Sequence, residues 1–195
     1  MKGYVSADGT VRLNGNSRLK TSDITLIAFA AGLMAVCSWI SIPFAVPFTM
    51  QTFAVFSSVG ILGGKRGSIA VAVYILLGAI GLPVFSGFTG GVGVLFGITG
   101  GYIAGFLFSA LFMWLCEVLF GRGKKVLFLS MLGGLLICYA IGTVYFRYIY
   151  TRNTGDIGIL AVLSSCVFPF VLPDIIKILL SMSLTGTIRK YLNNN

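Results

Sequence analysis

Two ionisable residues, Asp174 and Lys177, lie inside the last long apolar run of the sequence. They are three positions apart, so on a helix their side chains share one face. A charged side chain at the centre of a bilayer costs about 2.5–3.5 kcal/mol, so neither should face lipid. Charges at this depth are typical of a ligand or ion site, and an ion pair that only fixes helix packing is the alternative. We interpret the pair as part of a binding site.

The composition indicates an integral membrane protein. Of the 195 residues, 57% are hydrophobic and only 10% are charged. Because one crossing needs about 20 apolar residues, this length supplies about five or six helices and no separate soluble domain. The net charge of +9 comes mainly from basic residues that flank the apolar runs. We therefore interpret it as a topology signal and expect no nucleic-acid partner.

The residue types predict neither a metal site nor an enzyme. The sequence has no His, and its four cysteines fall on four apolar runs without a CxxC pair: Cys37, Cys116, Cys138 and Cys166. Buried, unreactive thiols are the expected state of these residues. A nucleophile would lack the usual His base, so we expect no enzymatic activity, no cofactor and no bound metal.

Two glycine-rich stretches do not match nucleotide-binding motifs. Between Gly60 and Gly64-Lys65 there are three residues where a phosphate loop needs four, and Arg66 replaces the required hydroxyl residue. Gly91 and Gly93 begin a dinucleotide motif, but Phe96 occupies its third glycine position. The chain therefore contains no ATPase motif of its own.

The apolar runs, and the Gly, Pro and charged residues that separate them, predict an all-α fold with six transmembrane helices. Their approximate bounds are 24–42, 52–64, 68–82, 101–120, 126–150 and 159–190. Residues 1–22 form a polar, largely disordered leader, and 23–195 form a single six-helix substrate-binding domain. The segment 21–23 (TSD) offers the N-cap of the first helix. Pro169 and Pro173 should bend the sixth helix just before Asp174.

Charge distribution orients these helices in the membrane. With the N-terminus in the cytoplasm, the leader and the basic clusters at 65–66, 122–125 and 189–190 all lie inside. Arg147 and Arg152 then lie at the outer face. This agrees with the positive-inside rule and predicts that both termini are cytoplasmic.

Two uncharged loops, 43–52 and 83–101, then lie together at the outer face. The first contains two prolines, and the second contains seven glycines. Glycine-rich backbone at membrane depth is tolerated where it is buried or lines a cavity, although packing of Gly97, Gly101 and Gly105 against a helix is the alternative. We expect both loops to cover a ligand cavity. Its polar groups would come from Thr49, Gln51 and Ser86, and its aromatic walls from Phe85 and Tyr102.

The first predicted helix has the face with the smallest side chains in the chain. Ala31 and Ala35 are four residues apart, with Ala28 and Gly32 beside them. Small residues at this spacing let two membrane helices approach closely. The face can meet another protein or pack inside this one, and the spacing alone does not choose between them.

Four motifs occur in order: VPFTMQT at 46–52, GLPVFS at 81–86, GGY at 100–102 and PDxxK at 173–177. Together they resemble the BioY family, the biotin-binding S components of energy-coupling factor (ECF) transporters. The resemblance covers about residues 24–190. One departure is Ile98, where the family pattern leads us to expect Pro.

The resemblance implies a biotin-binding subunit of the bacterial plasma membrane that works with a membrane T component and two cytosolic ATPases. Asp174 and Lys177 would meet the ureido ring, and aromatic residues the apolar body: Phe85, Tyr102 and Trp39. Arg147 and Lys177 compete as partners for the ligand carboxylate. The resemblance also implies that Ala31 and Ala35 meet the T component. An S component for another vitamin, a stand-alone carrier or channel, and a structural membrane scaffold remain the alternatives.

Overall fold

The computed structural model of the chain describes residues 4–5, 11–12, 20–44 and 46–193. Over these residues the protein is mainly helical. The helices are α1 (Thr21–Trp39), α2 (Gln51–Leu62), α3 (Gly64–Ala79), α4 (Val92–Leu95), α5 (Gly100–Phe120), α6 (Lys124–Asn153), α7 (Ile159–Cys166) and α8 (Phe168–Asn193). Two short antiparallel strand pairs accompany them: β1 (Tyr4–Val5) with β2 (Val11–Arg12), and β3 (Ser41–Ile42) with β4 (Phe48–Thr49).

The predicted polar leader falls mostly outside the described residues. Within it, the structure describes the β1–β2 pair. Helix α1 begins at Thr21, and its cap is Lys20, one residue before the predicted segment. The Lys20 backbone N–H donates to the Asp23 carboxylate at 3.1 Å, and Arg66 of α3 pairs with the same carboxylate at 3.0 Å. Asp23 therefore stabilises the start of α1 and ties it to α3.

Within the described residues, four helices are long and apolar enough to cross a membrane. They are Thr21–Trp39, Gly100–Phe120, Lys124–Asn153 and the Phe168–Tyr191 part of α8. The chain is thus a multi-pass membrane protein. Helices α2 and α3 have 12 and 16 residues and meet at Gly63. Gly63 has a φ of +86°, a left-handed conformation that glycine adopts without a steric penalty.

The predicted sixth helix is two helices, and the predicted bend lies elsewhere. The break is at Val167, between α7 and α8, while Pro173 lies inside α8. A helix continuing through 167 would place the Pro169 ring against the carbonyl of residue 165. Starting α8 at Phe168 puts Pro169 in its first turn, where a missing N–H is tolerated.

Helices α5 and α6 pack closely through glycines. A Cβ added at Gly101 would lie 2.4 Å from the Tyr145 Cβ, and one at Gly105 would lie 3.0 Å from the Cys138 Cα. For these two glycines, the structure therefore shows the helix-packing alternative. Gly97 precedes α5 and meets only the preceding backbone.

Helix α8 packs on α2 through a polar stripe. Its members are spaced by four residues: Lys177, Ser181, Thr185 and Arg189. Ser181 Oγ donates to the Phe53 carbonyl at 3.1 Å, and Arg189 Nε donates to the Gly60 carbonyl at 3.0 Å. These bonds join α8 to both halves of α2 and place Lys177 near the start of α2.

The two ends of the bundle differ. One end carries the ion pairs Asp23–Arg66 and Glu117–Arg122, both at 3.0 Å. At the other end, the β3–β4 hairpin and the glycine-rich segment cover the helices, and that segment contains α4 and a 3-10 turn at Ser86–Phe88. In the predicted loops, the described residues 43–44, 46–52 and 83–101 are therefore structured.

Candidate functional site: an apolar cavity with a buried ion pair

A cavity of about 120 Å³ lies under the β3–β4 hairpin and the glycine-rich segment. A single water needs roughly 10–15 Å³, so the cavity has room for a small organic molecule or several waters. Its walls come from the hairpin, the start of α2, the segment 85–99, and α5 to α8. Seven of the predicted ligand residues line it: Thr49, Gln51, Phe85, Ser86, Tyr102, Asp174 and Lys177.

Asp174 and Lys177 form an ion pair inside the bundle. Lys177 Nζ donates to Asp174 Oδ1 at 2.7 Å, and each residue is 4% exposed. Lys177 also donates to the Thr49 carbonyl at 2.7 Å and lies 3.9 Å from the centroid of the Phe48 ring. The ammonium is thus stabilised by the carboxylate, a carbonyl and an aromatic face. The predicted interior position and pairing are confirmed.

Tyr139 of α6 completes this group and was not predicted. Its hydroxyl donates to Asp174 Oδ2 at 2.6 Å, and its side chain lines the cavity. Tyrosines usually lie near the membrane interfaces, whereas Tyr139 occurs in the middle of an apolar run. That position is the signal that could have identified it, because a tyrosine hydroxyl at this depth needs a buried partner.

Gln51 presents an amide to the cavity. Its side chain is 5% exposed, and its Nε2 has no hydrogen-bond partner among the described residues. Its backbone N–H donates to Thr49 Oγ1 at 3.3 Å. A buried amide donor without a partner is costly, so a bound molecule that accepts from it would be stabilised.

Aromatic side chains form the apolar walls. Phe85 is 2% exposed and packs edge-on against Tyr74, with 5.6 Å between ring centroids. Tyr102 lies against Gly142, and its hydroxyl is 3.4 Å from Thr143 Oγ1. Ser86 and Thr89 add hydroxyl groups at the glycine-rich side.

Two predicted ligand residues lie outside the cavity lining. The Trp39 indole N–H donates to the Pro83 carbonyl at 2.8 Å, and its ring stacks on Phe88 at 5.0 Å. Trp39 therefore supports the segment that covers the cavity. Arg147 is exposed and lies 3.7 Å from Asp156. Of the two cations considered for a ligand carboxylate, only Lys177 lines the cavity.

The structure corrects the expected surface of α1. Ala31 and Ala35 are 1% and 7% exposed in the chain by itself, because α1 packs against α2 and α3 through this side. Neither residue is free to meet another protein. Ala28 and Gly32 are exposed instead, and a Cβ added at Gly32 meets no atom within 4 Å.

Among the described residues there is no cluster of three His, Cys, Asp or Glu side chains that could hold a metal ion. The lining combines apolar walls with few polar groups, an arrangement typical of sites for small molecules with an apolar body.

Comparisons with known proteins identify a family and relatives that are similar to this chain. The family model described as the BioY family matches residues 12–194. The biotin transporter BioY of Thermotoga maritima is 42% identical over 163 residues, which cover 81% of this chain and 90% of that protein. The probable biotin transporter BioY of Pyrococcus horikoshii is 37% identical over 161 residues, covering 82% and 91%.

A solved structure has the same fold. It is the S-component for biotin from an ECF-type ABC transporter, with a TM-score of 0.76 and 24% sequence identity. The match covers 90% of this chain and 94% of that one.

Proposed function

The chain belongs to the BioY family, and we propose that it is the biotin-binding membrane subunit, the S component, of an ECF-type ABC transporter for vitamin uptake. The observation that carries this proposal is the buried group of Asp174, Lys177 and Gln51 in an apolar cavity. The named functions of the Thermotoga and Pyrococcus relatives support biotin over another vitamin.

The chemistry of biotin matches the cavity. Its ureido ring has two N–H donors and one carbonyl acceptor. Asp174 can accept an N–H, while Lys177 and Gln51 Nε2 can donate to the carbonyl. Phe85 and Tyr102 would contact the thiophane ring and the aliphatic tail.

The tail carboxylate needs other partners, because Lys177 donates to Asp174 and Thr49 and its third N–H would be taken by the ureido carbonyl. Among the predicted site residues, the hydroxyl groups that could bind the carboxylate are those of Ser86 and Thr49, which line the cavity. Arg147, outside the lining, would act only at the outer surface.

We place the protein in the bacterial plasma membrane with six transmembrane helices and both termini in the cytoplasm. Residues 23–195 would form one substrate-binding domain, and 1–22 a cytoplasmic leader. The basic residues Arg66, Arg122 and Arg189 all lie at the end of the bundle opposite the cavity. By the positive-inside rule, this end would face the cytoplasm and the cavity would face outward.

Energy for transport would come from other chains, a membrane T component and two cytosolic ATPases. The S-component described for the structural neighbour supports this assembly. With Ala31 and Ala35 buried, the exposed small pair of α1 is Ala28 and Gly32. We assign the T-component contact to that face, where close helix packing remains open.

Binding of radiolabelled biotin to the purified chain tests the function. Riboflavin, thiamine and folate serve as competitors. The expected result is saturable biotin binding that these vitamins do not displace. Stronger displacement by another vitamin would assign the site to that vitamin, and no binding of any would contradict the proposal.

A further inference from the structure

The hydroxyl of Tyr139 has a fixed hydrogen-bond direction. Its hydrogen is donated to Asp174 Oδ2 at 2.6 Å. A tyrosine hydroxyl has one donor and two acceptor lone pairs, so with its hydrogen engaged it can only accept from a molecule in the cavity. Tyr139 lines that cavity. It therefore adds a hydrogen-bond acceptor to the site without adding charge.

The cavity lining contains hydrogen-bond acceptors and donors close together. The acceptors, Asp174 and Tyr139, lie on α8 and α6. The donors come from Gln51 Nε2 at the start of α2 and from Lys177 Nζ, which is held toward the β3–β4 hairpin by the Thr49 carbonyl. Lys177 has three N–H groups and uses two of them on Asp174 and Thr49.

We infer that Tyr139 is a specificity-determining residue that accepts a ring N–H of the ligand beside Asp174. The site would thus recognise an edge in which an N–H neighbours a carbonyl, as in a cyclic urea. This rests on the proposed biotin-binding function and extends it to a residue outside the predicted ligand set. A ligand with an ether oxygen or a tertiary amide in place of that N–H would face two acceptors without a hydrogen to share and would be rejected.

A purely structural role for Tyr139 predicts something different. If Tyr139 only positions Asp174, its loss should weaken binding through Asp174 alone and should have no further effect in the Asp174→Asn background. If it accepts a ligand N–H itself, its loss should weaken ligands that carry that N–H in both backgrounds. The two roles are therefore separated by making Tyr139→Phe with and without Asp174→Asn, a double-mutant cycle.

The test measures affinity of the purified full chain for biotin and for the two biotin derivatives methylated at one ureido nitrogen. Tyr139→Phe keeps the ring and removes the hydroxyl. We expect it to weaken biotin binding roughly two- to tenfold, the range for one hydrogen bond, and to leave at least one methylated derivative unchanged. Tyr150→Phe is the matched control on α6, since Tyr150 does not line the cavity, and it should leave all three affinities unchanged.

Equal weakening of all three ligands by Tyr139→Phe, no weakening of any, or no further weakening of biotin in the Asp174→Asn background would overturn the inference while leaving biotin binding intact. Failure of the wild-type chain to bind biotin would instead contradict the proposed function. Should Tyr139→Phe not fold, the affinities of the wild type and Asp174→Asn decide. A methylated derivative that binds more weakly than biotin to both proteins supports an acceptor besides Asp174, and biotin-like affinity for both derivatives overturns the inference.

Discussion

The ion pair of Asp174 and Lys177 can be tested by removing each charge separately. Asp174→Asn keeps an oxygen that can accept from Lys177 Nζ, which now lies 2.7 Å from the carboxylate. It removes the negative charge and one of the two carboxylate oxygens, of which Oδ1 accepts from Lys177 and Oδ2 from Tyr139. One lost charged hydrogen bond in a dry site is worth roughly 1.5–3 kcal/mol, so biotin affinity should fall about ten- to a hundredfold.

Lys177→Met should have a larger effect on stability. It leaves the Asp174 carboxylate, 4% exposed, with only the Tyr139 hydroxyl as a hydrogen-bond partner among the described contacts. Breaking a buried pair from one side costs about 3–5 kcal/mol in the free energy of unfolding. The double variant Asp174→Asn/Lys177→Met contains no unpaired charge, so its thermal stability should recover toward the wild-type value while biotin binding stays weak.

The assay is biotin titration and thermal unfolding of the same detergent preparation for the wild type, both single variants and the double variant. The decisive comparison is between the double variant and the wild type. If the variants keep wild-type affinity and lose only thermal stability, the pair fixes helix packing and does not bind the ligand. Recovered stability with weak binding would support the ligand role.

Gly142→Ala should lower the free energy of unfolding by roughly 1–3 kcal/mol, because the added Cβ would lie 2.2 Å from the Tyr102 ring, and it should also weaken biotin binding in titration because Tyr102 lines the cavity. Gly158→Ala is its control, since no atom lies within 4 Å of that Cβ. Gly32→Trp should abolish co-purification with the T component and biotin uptake but leave biotin affinity unchanged, whereas Ala31→Trp should lower the thermal stability of the isolated chain. A loss of affinity in Gly32→Trp would place that face inside the bundle. Thr89→Cys, in a background without native cysteines, should react more slowly with a maleimide when biotin is saturating, and an unchanged rate would contradict closure of the loops over the ligand.

The charged part of the site could be predicted from the sequence because charged residues inside an apolar run are rare and costly to expose to lipid. Asp174 and Lys177 share a helix face by spacing alone, and the cost of exposing them to lipid directs that face inward. The two predicted loops supplied Thr49, Gln51 and Ser86 to the cavity for a similar reason. A non-helical segment at membrane depth is tolerated only where it is buried in protein or lines a cavity.

Residues on apolar helices were harder to place. In a soluble protein the polar face of a helix marks the outside, but lipid and protein interior are both apolar. The small residues of α1 were therefore identified correctly as a close-packing set. Which of them face α2 and α3 was predicted wrongly. Ala31 and Ala35 took the inner position, and Ala28 and Gly32 the outer one. The break at Val167 was missed for a different reason. Either Pro169 or Pro173 could have bent a continuous helix. Starting a new helix at Phe168 instead puts Pro169 in the first turn, where its ring meets no carbonyl four residues earlier in the same helix.

The position of Tyr139 depends on contacts between distant parts of the chain. Its partner, Asp174, lies 35 residues later on α8, and Lys177 reaches the Thr49 carbonyl 128 residues earlier. These two bonds join α6, α8 and the β3–β4 hairpin at a single carboxylate–ammonium pair. A ligand that bonds to this pair would therefore act on three elements at once, including the hairpin that covers the cavity. Because Lys177 holds the Thr49 carbonyl directly, any shift of the ammonium toward a ligand acceptor must lengthen that bond or move the hairpin with it. The polar group proposed to recognise the ligand would thus also connect the ligand to the hairpin that covers the cavity.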